Sequence, residues 1–162
     1  MKIVVQRVGR AEVRVAGRVV SSIGRGLLLL VGVERGDGRD HVERAAHRLA
    51  GLRVFSDDEG KMNLGLDEVG GDVLLVSQFT VAGSIRRGRR PDFFAAAPPD
   101  EAEPLIVALA EALRARGVTV STGVFRADME VELVNDGPVT LIWDDPPEKQ
   151  GTGDRGPGSD EE

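Results

Sequence analysis

The stretch KIVVQRVGRAEVRVAGRVV, Lys2–Val20, decides the fold class. Its Val-rich runs Lys2–Val8 and Ala11–Val20 are parted by Gly9-Arg10. Val13, Val15 and Val19 alternate with polar neighbours at the period of two that puts every second side chain on one face of a strand. The pattern predicts a β-hairpin with Gly9-Arg10 between its arms. Working outward, GLLLLVGV (Gly26–Val33) is a continuous apolar run that fits a strand buried on both faces. At Asp40 the period changes: Val42, Ala45, Ala46 and Leu49 form an i, i+3, i+4, i+7 stripe, which predicts a helix from Asp40 to about Leu52.

Arg53–Ser56 leads into a polar loop over Asp57–Gly71, and DVLLVSQF (Asp72–Phe79) is a second buried strand. Pro98-Pro99-Asp100 marks a helix start, with Ala102, Leu105, Ile106, Leu109 and Leu113 as its apolar face and Gly117 as its end. Three strands complete the chain, over Val118–Phe125, Asp128–Asn135 and Val139–Trp143. This is an α+β pattern: a mostly antiparallel, barrel-like sheet with two main helices. Two helices leave much of so large a sheet uncovered, which predicts completion by homodimerisation.

The chain has 162 residues, enough for one domain with a substantial core. It contains no cysteine, so thiol catalysis and disulfides are excluded, and its two histidines, His41 and His47, argue against a metal site. Both lie on the first helix with no nucleophile nearby and read as structural or solvent-facing. No apolar run approaches the ~18 residues of a membrane span, so a cytoplasmic protein is expected. The formal charge of −6 is concentrated at the end: residues 144–162 carry seven acids against two bases. Residues 1–143, the expected domain, hold 20 acids and 19 bases, and the acidic, Pro- and Gly-rich segment 144–162 reads as a disordered tail.

Common catalytic signatures are missing: there is no Walker loop, no GxSxG elbow and no HExxH. Three features remain. Ser77-Gln78-Phe79-Thr80 stands where an apolar strand runs out, either a polar strand end or a place where free backbone amides form an oxyanion hole. Thr80 is the available side-chain nucleophile, but no base accompanies it. Arg86, Arg87, Arg89 and Arg90 crowd one loop just after it, either as a solvated face or as contacts for the phosphates of an RNA end. Asn135-Asp136-Gly137-Pro138 interrupts strand-like sequence with turn chemistry, either a hairpin corner or a shaped backbone feature.

In this order and spacing, MKIVVQRVGRAEVRVAG, FSDDEGKMNLGL, DVLLVSQFTVAG, GRRPDF, AAPP and VNDGPVTL resemble the D-aminoacyl-tRNA deacylases over roughly Met1–Trp143. The resemblance implies an ester hydrolase that releases D-amino acids from tRNA, and glycine mischarged onto alanine tRNA. It implies a cis Gly137-Pro138 peptide that reaches into a partner subunit's site and blocks L side chains. Asn135 and Met129 join that substrate-binding set, and Ser77, Gln78, Phe79 and Thr80 form the catalytic wall. It further implies water activated with the help of the RNA's own terminal 2′-hydroxyl, no cofactor, a homodimer with tRNA as partner, and neither DNA nor membrane binding. The chain departs from the family pattern at Val81-Ala82-Gly83 and at Asp92. Two readings of other classes stand beside it: a non-catalytic dimeric module that binds RNA ends, and a purely oligomeric structural protein.

Overall fold

A computed structural model describes residues 1–148. The elements run β1 (Lys2–Val15), β2 (Arg18–Ile23), β3 (Gly26–Gly32), α1 (Arg39–Ala50), β4 (Phe55–Ser56), β5 (Met62–Leu64), α2 (Leu66–Val69) and β6 (Asp72–Ser77). A 3-10 turn (Phe79–Ala82), α3 (Pro99–Ala115), β7 (Val120–Thr122) and β8 (Glu130–Asp144) follow.

The first hairpin differs from expectation in where it turns. β1 is continuous through Gly9-Arg10, and the corner is Ala16-Gly17, with φ of 49° and 76°. Two successive positive φ angles are what a tight hairpin turn of the primed type requires. Gly9-Arg10 instead marks a handover along one edge of β1. Lys2–Val8 pairs with β3, and Ala11–Val15 pairs with β2. The other edge of β1 is taken by β8 along nearly its whole length.

The sheet order is β2-β1-β3-β6-β7, with β8 added on β1. β1 is antiparallel to β2, β3 and β8, and β4 to β5, whereas β3-β6 and β6-β7 are parallel. The parallel pairs need crossovers, which the segments carrying α1 and α3 provide. The sheet curls until β2 approaches β6 and β7, giving the nearly closed, barrel-like core.

The apolar runs divide between two clusters. Leu27, Leu29 and Val31 of β3, with Val73 and Leu75 of β6, pack under Val42, Ala45, Ala46 and Leu49 of α1 and Ile106, Leu109 and Leu113 of α3. Leu28, Leu74 and Val76 point the other way, against Val8, Ala11, Val13 and Ile23. This is why GLLLLVGV has no polar alternation: both of its faces are covered. A Cβ on Gly26 would lie 1.8 Å from the Asp72 carbonyl oxygen, so the β3–β6 pairing begins at a residue without a side chain.

α1 and α3 match their expected spans closely, while the loop over Asp57–Gly71 proves to contain β5 and α2. His41 is buried and structural: its Nδ1 accepts from the Gly38 N–H at 3.1 Å. His47 is exposed. β8 runs to Asp144, and the next residue packs on the body, with the Asp145 N–H donating to the Met1 carbonyl at 2.9 Å and its carboxylate taking Arg44 at 2.8 Å. Most of the expected tail, residues 149–162, lies outside the described residues. Among the described residues no helix is long and apolar enough to cross a membrane.

Candidate functional site

A pocket of about 790 Å³ opens at the end of β6. Apolar β6 carries the chain into it and ends at Ser77; Gln78 stays extended, with φ −144° and ψ 91°, and the 3-10 turn begins at Phe79. The Gln78 N–H still donates to Val31 O of β3 at 2.8 Å, so the turn is anchored to the sheet. Helix geometry leaves the first N–H groups of such a turn, those of Phe79 and Thr80, without intrahelical acceptors. The turn is closed from behind by Val81 N–H to Gln78 O at 3.1 Å and Gly83 N–H to Thr80 O at 3.0 Å.

The structure brings Ser77, Gln78, Phe79 and Thr80 together with Met129 on the wall of this pocket. Thr80 Oγ1 accepts from Gln78 Nε2 at 3.0 Å. Phe79 meets Phe93 edge-on, with centroids 5.3 Å apart. Phe93 in turn lies against Gly83, where a Cβ would stand 2.7 Å from its ring. The departure at Gly83 therefore makes room for an aromatic wall.

Sequence reading missed Arg35, Phe93, Arg126 and Asp128, which also line the pocket. Arg126 has φ 63°, a left-handed conformation uncommon outside glycine, at the corner before β8. Asp128 is the pocket's carboxylate, and with Arg35 and Arg126 it makes up the titratable groups of the lining. The available signal was position: Arg126 and Asp128 sit between two strand-like runs, where side chains project from a strand end. Among the described residues no cluster of three or more His, Asp or Glu could hold a metal ion.

Asn135, Gly137 and Pro138 do not line the pocket. They belong to an outward bulge of β8, which is not interrupted by a hairpin corner. Gln6 pairs with Thr140 and Val8 with Asn135, so Arg7 alone stands opposite the four residues from Asp136 to Val139. The Gly137-Pro138 peptide is cis. Asn135 ties the bulge at its base: its Oδ1 accepts from Val139 N–H at 3.0 Å and its Nδ2 donates to Thr140 Oγ1 at 2.9 Å. Arg7 holds it from the sheet, donating through Nε to Asp136 O at 3.0 Å and through Nη1 to Val54 O at 2.7 Å. Arg7 is 9% exposed, and its charge, placed within an apolar strand, was the trace of this role in the sequence.

Arg86, Arg87, Arg89 and Arg90 are exposed on a loop beyond the 3-10 turn and do not line the pocket. The loop is closed by reciprocal backbone bonds between Ser84 and Asp92, at 2.7 and 2.8 Å. Among the described residues none of the four arginines is in an ion pair, although acids and bases pair elsewhere, as Glu132 does with Arg10 at 3.0 Å and Arg14 at 2.7 Å. Those two arginines hold the Glu132 carboxyl down, to a pKa of about 2.

Comparison with known proteins bears on the whole arrangement. The family model described as D-Tyr-tRNA(Tyr) deacylase matches residues 4–144. Proteins named D-aminoacyl-tRNA deacylase from Thermomicrobium roseum and Anaeromyxobacter dehalogenans are each 58% identical, over 93% and 89% of this chain and 97% of each relative. A solved structure titled c-Myc DNA Unwinding Element Binding Protein superposes with a TM-score of 0.84 at 38% identity, over 90% of this chain and 99% of the other. A probable eukaryotic D-amino acid tRNA deacylase shares the fold, with a TM-score of 0.73 at 19% identity over 88% of this chain and 97% of that one.

Proposed function

The chain belongs to the D-Tyr-tRNA(Tyr) deacylase family, and on that premise we propose that it hydrolyses the ester between a D-amino acid and the 3′ end of tRNA at the Ser77–Thr80 pocket. The observation that carries this reading is the 3-10 turn at the end of β6, which presents the leading amides of Phe79 and Thr80 beside a pocket of about 790 Å³. An ester carbonyl placed against those amides gains two donors as its oxygen becomes an oxyanion. Water adds to the carbonyl carbon, the bond to the ribose oxygen breaks, and that oxygen leaves with a proton. Free amino acid and tRNA are the products.

Among the described residues no histidine or lysine lines the pocket, and Asp128 is its carboxylate. As the family resemblance implies, the terminal 2′-hydroxyl of the RNA helps to activate the water, and the protein contributes position, which is worth up to ~7–11 kcal/mol of barrier in favourable cases. Thr80 serves as a hydrogen-bonded wall residue rather than a nucleophile, since its hydroxyl is engaged by the Gln78 amide, which is not a base.

Stereochemical selection comes from the bulge at Gly137-Pro138 of a second copy of the chain in a homodimer. A rigid backbone against the α-carbon leaves room for hydrogen and none for an L side chain, so D residues and glycine pass. Glycine mischarged onto alanine tRNA is a substrate on the same ground. Asn135 supports the reading, because it fixes the shape of the bulge from within one chain. Arg86, Arg87, Arg89 and Arg90 guide the RNA backbone toward the pocket.

The test is release of free amino acid from D- and L-charged tRNA at substoichiometric protein. Many turnovers on the D ester with none on the L ester are expected. Stoichiometric protection of the ester without release would overturn the reading in favour of an RNA-end-binding module.

A further inference from the structure

Phe94 is 77% exposed, yet its setting is fixed. Its N–H donates to Asp92 Oδ1 at 2.7 Å and its carbonyl accepts from Arg35 Nε at 2.7 Å. Arg35 N–H donates to Ala95 O at 2.9 Å, and Ala97 N–H to Val33 O at 2.9 Å, so the segment carrying Phe94 is stitched to the end of β3. The Arg35 guanidinium then lies over the Phe94 ring, 5.4 Å from its centroid. An exposed phenylalanine commonly needs no explanation. This one has its backbone tied on both sides and a cation stacked on its ring.

Its neighbours are cationic as well. The Ser84–Asp92 closure brings the loop of Arg86, Arg87, Arg89 and Arg90 back to within two residues of Phe94. Phe93, the adjacent residue, lines the catalytic pocket, as does Arg35, whereas Phe94 does not. A held aromatic ring next to arginines that are in no ion pair among the described residues is the combination that binds single-stranded nucleic acid, the ring stacking a base and the arginines tracking phosphates.

We propose that Phe94, backed by Arg35, is a stacking platform for an unpaired nucleobase of the RNA 3′ end, upstream of the nucleotide that carries the ester. This rests on the deacylase reading for the direction of the strand. The esterified nucleotide must place its ribose at the pocket, so a base that reaches the ring outside the pocket lining belongs to a preceding nucleotide.

The experiment compares F94A and F94W with the unaltered full chain on two substrates, D-aminoacyl-tRNA and D-aminoacyl-adenosine, the latter having no preceding nucleotide. F94A is expected to raise KM for the tRNA by about tenfold, within the roughly 5- to 150-fold range of lost base–aromatic stacking. Its kcat on tRNA and its kcat/KM on the adenosine ester stay unchanged, and F94W restores the tRNA KM. An equal loss on both substrates would make Phe94 part of the pocket, and no loss on either would remove the platform. Failure of tryptophan to restore binding would also overturn it. So would a change in sedimentation of F94A at assay concentration, which would assign the ring to a subunit contact. If the unaltered chain hydrolyses neither substrate, the deacylase reading falls. The platform is then tested alone by binding of an uncharged single-stranded RNA tetranucleotide, which F94A must weaken by a similar factor if the platform exists and leaves unchanged if it does not.

Discussion

Replacing Arg7 by methionine separates the stability of the β8 bulge from its role in selection. Methionine keeps much of the aliphatic stem, so the overpacking and cavity terms stay below about 1.5 kcal/mol. What is lost are the donors. Val54 O is buried and takes the Nη1 proton at 2.7 Å, and an orphaned buried carbonyl costs about 1–3 kcal/mol. Asp136 belongs to the exposed bulge, where water can replace Nε, and that loss is nearer ~0.5–1.5 kcal/mol. Part of this is offset because a guanidinium is no longer buried with its nearest carboxylate oxygen, Asp136 Oδ2, at 3.7 Å. The net expectation is about 2–4 kcal/mol of destabilisation, or a fall in Tm of roughly 5–15 °C at ~2–4 °C per kcal/mol. Urea denaturation measures the first quantity. The second readout is the ratio of D- to L-ester hydrolysis, assayed well below the new Tm, which should fall because the bulge has lost its tie to the sheet. Reduced stability with an unchanged ratio would refute Arg7 as the support of the wedge. Unchanged stability would refute the orphaned-carbonyl argument itself.

Thr80→Ala and Asp128→Asn should each retain activity within about tenfold, since neither supplies the base, whereas removal of a general base costs ~10²–10⁴-fold in single-turnover rate; a loss of that size in either would move water activation to the protein. Gly83→Ala should raise KM and weaken D-ester hydrolysis, because the new Cβ meets the Phe93 ring at 2.7 Å and Thr80 O at 2.9 Å; normal kinetics would show that the aromatic wall is dispensable. Changing Arg86, Arg87, Arg89 and Arg90 together to alanine should flatten the slope of log affinity for tRNA against log salt, by about 0.7–0.9 for each arginine that contacts a phosphate; an unaltered slope would return the loop to a solvated face. Glu132, whose pKa is lowered from 4.5 to about 2 by Arg14 and Arg10, contributes stability that is complete above pH 4.5 and is lost as pH falls through about 2. Thermal scans of wild type and Glu132→Gln should therefore differ at neutral pH and converge on acidification across that window, and a constant gap would exclude this carboxylate as the cause.

Legibility in the sequence followed the range of the interactions. The buried strands Gly26–Gly32 and Asp72–Ser77 and the helices Arg39–Ala50 and Pro99–Ala115 each carry their own periodicity or caps, and they lay where their residues indicated. The errors arose where pairing decides. Gly9-Arg10 looks like a corner until β2 and β3 are seen to share one edge of β1, and Ala16 conceals a turn because alanine rarely adopts a φ of 49°. The parallel β3–β6–β7 half was likewise missed, although the continuous apolar runs of β3 and β6, buried on both faces, are the pattern that parallel strands carry.

The candidate site divided along the same line. Ser77–Thr80 and Met129 are brought to one pocket, and of these the four consecutive residues are a local signal at a strand end. Arg35, Phe93 and Arg126 reach the same pocket from three separate segments, and no local pattern announces that meeting. Asn135-Asp136-Gly137-Pro138 is the intermediate case. Its turn chemistry is local, but whether it ends a strand or bulges from one depends on β1, 129 residues away at the Arg7–Asp136 bond. That bond, the Arg7–Val54 bond and the two made by Asn135 all lie within a single chain. The bulge is thus held in shape by bonds of its own chain. A wedge acting by exclusion needs that property, because a backbone that had to be ordered on docking would surrender part of its discrimination to the cost of ordering it.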